Sequence, residues 1–124
     1  MNYSQAKKLL RDVLTSDEIY DLVGDQFGTD RVPTWEAQDY LTDLATDLEY
    51  ILPQLAQLRS GMINRIHLIY DTDLGNGEVI WLHGGEFRVA PCIFSSVGPA
   101  STMALPDLLD WLRDKWTAEV YADD

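Results

Sequence analysis

Aspartate recurs at intervals of four in two stretches of this chain: Asp17, Asp21 and Asp25, then Asp39, Asp43 and Asp47. On a helix that spacing stacks carboxylates along one side, each about 6 Å of rise from the next. Neighbouring phosphates on one strand of a nucleic acid are comparably spaced. The chemistry on offer is therefore electrostatic: a row of fixed anions that a basic surface would bind as it binds a phosphate backbone. A looser third row is Asp107, Asp110 and Asp114. Like charges at i, i+4 cost a helix a few tenths of a kcal/mol per pair, and no lysine or arginine is interleaved to relieve them. Asp also outnumbers Glu by 15 to 6, although Glu is the better helix former. The shorter side chain holds its carboxylate close to the helix. The competing reading is that these rows are the solvated faces of amphipathic helices.

Three aromatic residues adjoin the rows: Trp35 and Tyr50 at the ends of the second row's helix, and Trp111 beside the third. They are candidate interface anchors, because Trp and Tyr dominate binding hot spots. Alternatively they cover edges of the core.

Covalent chemistry has weaker candidates. A two-residue turn at Gly84-Gly85 places His83 opposite Glu86, Trp81 opposite Arg88 and Gly77 opposite Cys92. A His–carboxylate pair can act as a general base, but an exposed cross-strand pair is its commoner meaning. Cys92 would lie roughly 20 Å from His83 along the strand, too far for a dyad. His67 is the only other histidine, and its relation to His83 depends on strand order. Two histidines with no cysteine pair do not make a zinc site. Asp71 to Glu78 has acids at the first and third positions of a calcium loop, but no glycine at the sixth and Leu82 at the twelfth, so a hairpin loop accounts for it better. No glycine cluster has the spacing of a phosphate-binding loop. The expectation is no catalytic residues, no metal and no cofactor.

The elements that carry these residues follow from apolar periodicity. Ser4 to Leu14 reads as a short basic helix. Thr15 and Glu18 form a capping box for a second helix with the stripe Ile19, Leu22, Val23 and Phe27, ended by Gly28. After the loop Thr29 to Pro33, Thr34 can cap a third helix whose buried face runs from Tyr40 and Leu41 through Leu44 and Leu48 to Leu55, with Pro53 either kinking it or opening a fresh turn. Strands are expected at Ile63 to Tyr70, Glu78 to His83 and Glu86 to Phe94, with turns at Asn76-Gly77 and Gly84-Gly85. Ser95 to Leu105 reads as a loop. Pro106 to Tyr121 reads as a last helix with Trp116 and Val120 in its core stripe. The predicted fold class is α+β, as one domain over residues 1–124: N-terminal helices, a small three-stranded antiparallel meander, and a C-terminal helix packed on it.

Charge sorts the function classes. Residues 12–49 hold eleven carboxylates against Arg31 alone, a net −10 of the −12 carried by all 124 residues. Apolar content of 46% is that of a folded protein, so the acidity does not mean disorder. A pI near 4.3 argues against anionic membranes and against direct nucleic-acid contact. One cysteine and the absence of a leader-like or membrane-spanning apolar run suggest the cytoplasm. The first expectation is a non-enzymatic module binding a basic protein, either a nucleic-acid-binding protein or a nuclease, as a DNA or RNA mimic, inhibitor or immunity protein. The alternative is an adaptor or assembly chaperone binding through apolar surface at Trp35, Trp81, Trp111 and residues 97–103.

Overall fold

A computed structural model describes the backbone of residues 1–27, 35–71, 73–94 and 96–123, and the side chains of these except 25–27. The chain divides into two compact units, Met1–Pro53 and Gln54–Asp124. The first holds α1 (Tyr3–Val13), α2 (Ser16–Phe27) and α3 (Trp35–Leu48), and α4 (Leu52–Ser60) begins at the junction. The second holds β1 (Arg65–Asp71), β2 (Asn76–His83), β3 (Glu86–Ile93), β4 (Ser96–Val97), β5 (Ser101–Met103), α5 (Leu105–Leu112) and β6 (Glu119–Asp123). The fold is α+β.

In the first unit α1 and α3 pack together. Ala6, Leu10 and Val13 of α1, and Ala37, Leu41, Leu44, Ala45 and Leu48 of α3, are buried at helical spacing. Asn2 caps α1: its Oδ1 accepts from the Gln5 amide at 2.9 Å, while Gln5 Oε1 accepts from the Asn2 amide at 3.0 Å. Thr15 and Glu18 do the same for α2, at 3.2 and 2.9 Å. The anticipated stop at Gly28, loop to Pro33 and cap at Thr34 lie outside the described residues. The long third helix is interrupted. Its chain turns at Glu49 to Ile51, and α4 starts afresh with Pro53 in its second position. There the missing N–H costs nothing, whereas in a continuous helix the ring would strike the carbonyl four residues back.

The sheet has six antiparallel strands, not three, in the order β4-β3-β2-β1-β6 with β5 also on β3. The β2–β3 hairpin has the anticipated register, His83 opposite Glu86, Trp81 opposite Arg88 and Gly77 opposite Cys92. Gly84 and Gly85 take φ of 60° and 81°, as a tight primed turn requires. Asn76-Gly77 is not the other turn. Asn76 already pairs with Asp71, and Asp71 Oδ1 accepts from the amides of Asp73 and Leu74 at 3.1 and 3.2 Å, which closes the loop. Gly77 is needed for another reason: a Cβ there would lie 1.7 Å from the Leu68 carbonyl oxygen.

The anticipated loop after β3 holds two short strands because Pro91 divides one. Gly98 N–H donates to the Pro91 carbonyl at 2.8 Å, so the nitrogen of Pro91 also faces this outer edge and has no proton to give. Between the pairs Cys92–Val97 and Val89–Ser101 the outer segment carries one extra residue, a bulge that separates β4 from β5. The last helix stops at Leu112, nine residues early. Glu119 to Asp123 instead pairs along β1, with Val120 opposite Leu68 and Ala122 opposite Ile66. The alternation Glu-Val-Tyr-Ala-Asp suits a strand, and the free edge of β1 satisfies its backbone. Trp116, expected in the core, is 68% exposed.

Candidate protein interface

The capping box fixes where α2 begins, and the apolar stripe fixes its roll. Leu22 and Val23 are buried, Ile19 is half-buried, and Asp17 and Asp21 are exposed. Asp25 lies within α2, but its side chain is outside the described residues. In α3 the five buried residues turn Asp39, Asp43 and Asp47 to solvent. Asp17, Asp21, Asp39 and Asp43 make no ion pair among the described residues. Both rows belong to the first unit. Asp17 sits in the first turn of α2, where the helix dipole favours an anion. Asp47 sits in the last turn of α3, where it does not.

The third row is shorter than expected and lies in the second unit. Asp107 and Asp110 are exposed on α5, while Asp114 is exposed in the turn after it. The early end of the helix removes Asp114 from the row. Trp111 is half-buried, and Lys115 Nζ lies 4.8 Å from its ring centroid and 5.5 Å from that of Tyr70. A cation therefore already occupies one side of this expected anchor. Trp35, in contrast, is 71% exposed at the first position of α3. Tyr50 is half-buried just past the end of that helix.

The other candidates resolve by position. His83 and Glu86 are neighbours and both exposed, with no hydrogen bond or ion pair between their side chains. β1 lies between β2 and β6, so His67 faces Val79 on one side and Tyr121 on the other, with its Nε2 3.6 Å from Asp123 Oδ2. His67 and His83 stand four residue positions apart along the sheet. Cys92 is buried opposite Gly77 and Val97. No group of three metal-ligating side chains occurs among the described residues. No helix among them is long and apolar enough to cross a membrane.

Two features escape a reading by helix rows. In the first unit a groove of about 280 Å³ lies between α1 and α2, with Tyr3, Lys7, Arg11, Ile19 and Tyr20 among its walls. Lys7 Nζ lies 5.9 Å from the Tyr3 ring centroid. In the second, exposed apolar side chains gather at one end of the sheet: Leu74 in the β1–β2 loop, Ile93 and Phe94 after β3, and Val97 in β4. The Phe94 amide donates to Asn76 Oδ1 at 3.0 Å, tying the two loops. The pairing of Gly77 with Cys92 in sequence would have placed these loops side by side. Comparison with protein families, with curated proteins and with solved structures found no match to this chain.

Proposed function

We propose that this is a non-enzymatic protein-binding module that engages a basic partner through the acidic rows of α2 and α3. The partner class is a nucleic-acid-binding protein or a nuclease, held where its own phosphate-bearing ligand would lie. The observation that carries this reading is the exposure of Asp17, Asp21, Asp39 and Asp43 with no cation near enough to pair among the described residues. A solvated face of an ordinary helix is commonly laced with i, i+4 partners of opposite sign. Here the unit that carries the rows holds eleven acids and four bases. Trp35, at the head of the α3 row, supplies an aromatic anchor beside the field.

Capture from a lysate at low salt, followed by washes of rising salt, tests the reading. A basic nucleic-acid-binding protein or nuclease should leave at moderate salt and compete with DNA or RNA for the bait. Release of an apolar partner only by denaturant would favour the adaptor reading instead. That second reading draws on the apolar end of the sheet, where Ile93 is 56% and Phe94 68% exposed. It predicts binding that survives high salt and fails in Phe94→Ser.

A further inference from the structure

The sheet of the second unit has two chemically different faces. Register and alternation place Ile66, Leu68, Ile80, Phe87 and Val89, all buried, on one of them. Arg59 of α4 lies over the Phe87 ring on that side, and Lys115 over the Tyr70 ring. On the other face, around the buried Val79, Ala90 and Cys92, lie the four basic side chains of the sheet: Arg65, His67, His83 and Arg88. One transverse row there runs Asp123, Arg65, Trp81, Arg88, Thr102 across five strands. Strands about 4.8 Å apart put the two arginines roughly 10 Å from each other with the indole between them.

Among the described residues Arg65 and Arg88 make no ion pair and Trp81 makes no ring contact. Arg88 Nε is buried without a hydrogen-bond partner, a costly state for a charged donor group. The carboxylate nearest Arg65 in register, Asp123, lies 3.6 Å from His67 Nε2. Beside the row is an open hollow of about 440 Å³ lined by Asn64, Arg65, Trp81, Leu82 and Val97. In a chain with 21 acids, two arginines that have no carboxylate partner among the described residues, on either side of a tryptophan, ask for an anion with a flat face.

We infer that this face binds a small planar anion, its ring stacked on Trp81 and its phosphate or carboxylate held by Arg65 and Arg88. Neither part is enough. A free phosphate lacks the stacking surface, and an uncharged ring leaves the guanidinium groups unsatisfied. A guanidinium can hold either anion through two parallel N–H donors, which fixes the ring relative to the charge. The site is separate from the acidic rows of α2 and α3 and does not depend on their role.

Titration of the full chain with adenosine 5′-monophosphate, followed by proton–nitrogen correlation spectra, tests the inference. Saturable shifts should centre on the Trp81 indole and on Arg65 and Arg88, and adenosine or inorganic phosphate alone should each bind at least about tenfold more weakly. Trp81→Leu and, on the exposed strand position, Arg65→Gln should each weaken binding by about tenfold, with the rest of the spectrum unchanged. Arg65→Gln keeps the test open should the Trp81 variant misfold. Absence of saturation at millimolar nucleotide, or equal affinity in the Arg65 variant, would overturn it.

Discussion

Tyr121 shows at the scale of one residue how a carboxylate-rich chain loads its own side chains. Its hydroxyl donates to Glu119 Oε2, two residues along β6 on the same face. That hydrogen bond, then the charge of Glu119, then a small desolvation, raise the phenol above its usual 10.0. The neutral phenol is the form that β6 accommodates, since ionisation would set two anions side by side. The small contribution to folding is fully present below pH 10 and lost as pH climbs through the raised value. Glu119→Gln should lower the Tyr121 midpoint toward 10, read from the ring carbon shifts; an unmoved midpoint would remove Glu119 as the cause. Glycines give a second test at this scale. Gly85→Ala meets open space but keeps a φ of 81°, and should cost about 1–2 kcal/mol. Gly77→Ala drives a Cβ into the Leu68 carbonyl, and should cost about 3 kcal/mol or more, since backbone on both strands must part. Urea unfolding of both variants checks the order, which a rule based on positive φ alone would reverse.

Among elements, α2 is the one whose start the sequence determines most directly. Thr15→Ala removes the acceptor for the Glu18 amide and should cost about 1 kcal/mol. Glu18→Ala removes the return bond to Thr15, so the double variant should lose less than the two single losses added. Strict additivity in denaturant melts would mean that the box does not act as a unit. Such local signals made α1, α2, the β2–β3 register and the exposure of Asp17, Asp21, Asp39, Asp43 and Asp47 legible, because each is decided within a few residues. The Trp81–Arg88 neighbour pair was legible too, but Arg65 joins them only through the order of strands. What local pattern could not decide was competition between distant partners. Trp116 and Val120 continue the apolar spacing of α5, yet the unpaired edge of β1 takes Val120 into a strand and leaves Trp116 exposed. Asn76-Gly77 has the composition of a turn, yet Asp71 closes the loop earlier and Gly77 serves a close approach of backbone. Pro91 was the one readable clue that β3 has a broken neighbour, and only the side its carbonyl faces turns that clue into two strands.

For the whole molecule the question is whether a net −12 serves binding or only solubility, and stability separates the two. Charges of one sign repel in the folded chain and relax when it unfolds, so added salt should stabilise the protein by screening them. A melting temperature higher by about 3 °C at 0.3 M than at 0.02 M NaCl is the expected size, equivalent to roughly 1 kcal/mol for a chain of this length. Replacing Asp39, Asp43 and Asp47 together by Asn removes two like-charge i, i+4 pairs from α3, each worth a few tenths of a kcal/mol. The variant should therefore melt no lower than the parent and gain less from salt. Partner capture should respond in the opposite sense. The loss of three anions slows association and weakens the bound state, and the residual binding depends less steeply on salt. A variant that is at least as stable as the parent but no longer retains the basic partner assigns the α3 row to an interface. Unchanged capture alongside raised stability would return that row to solvation. Lowered stability would mean that these carboxylates hold the fold, contrary to the exposure of Asp39 and Asp43 and their lack of an ion pair among the described residues.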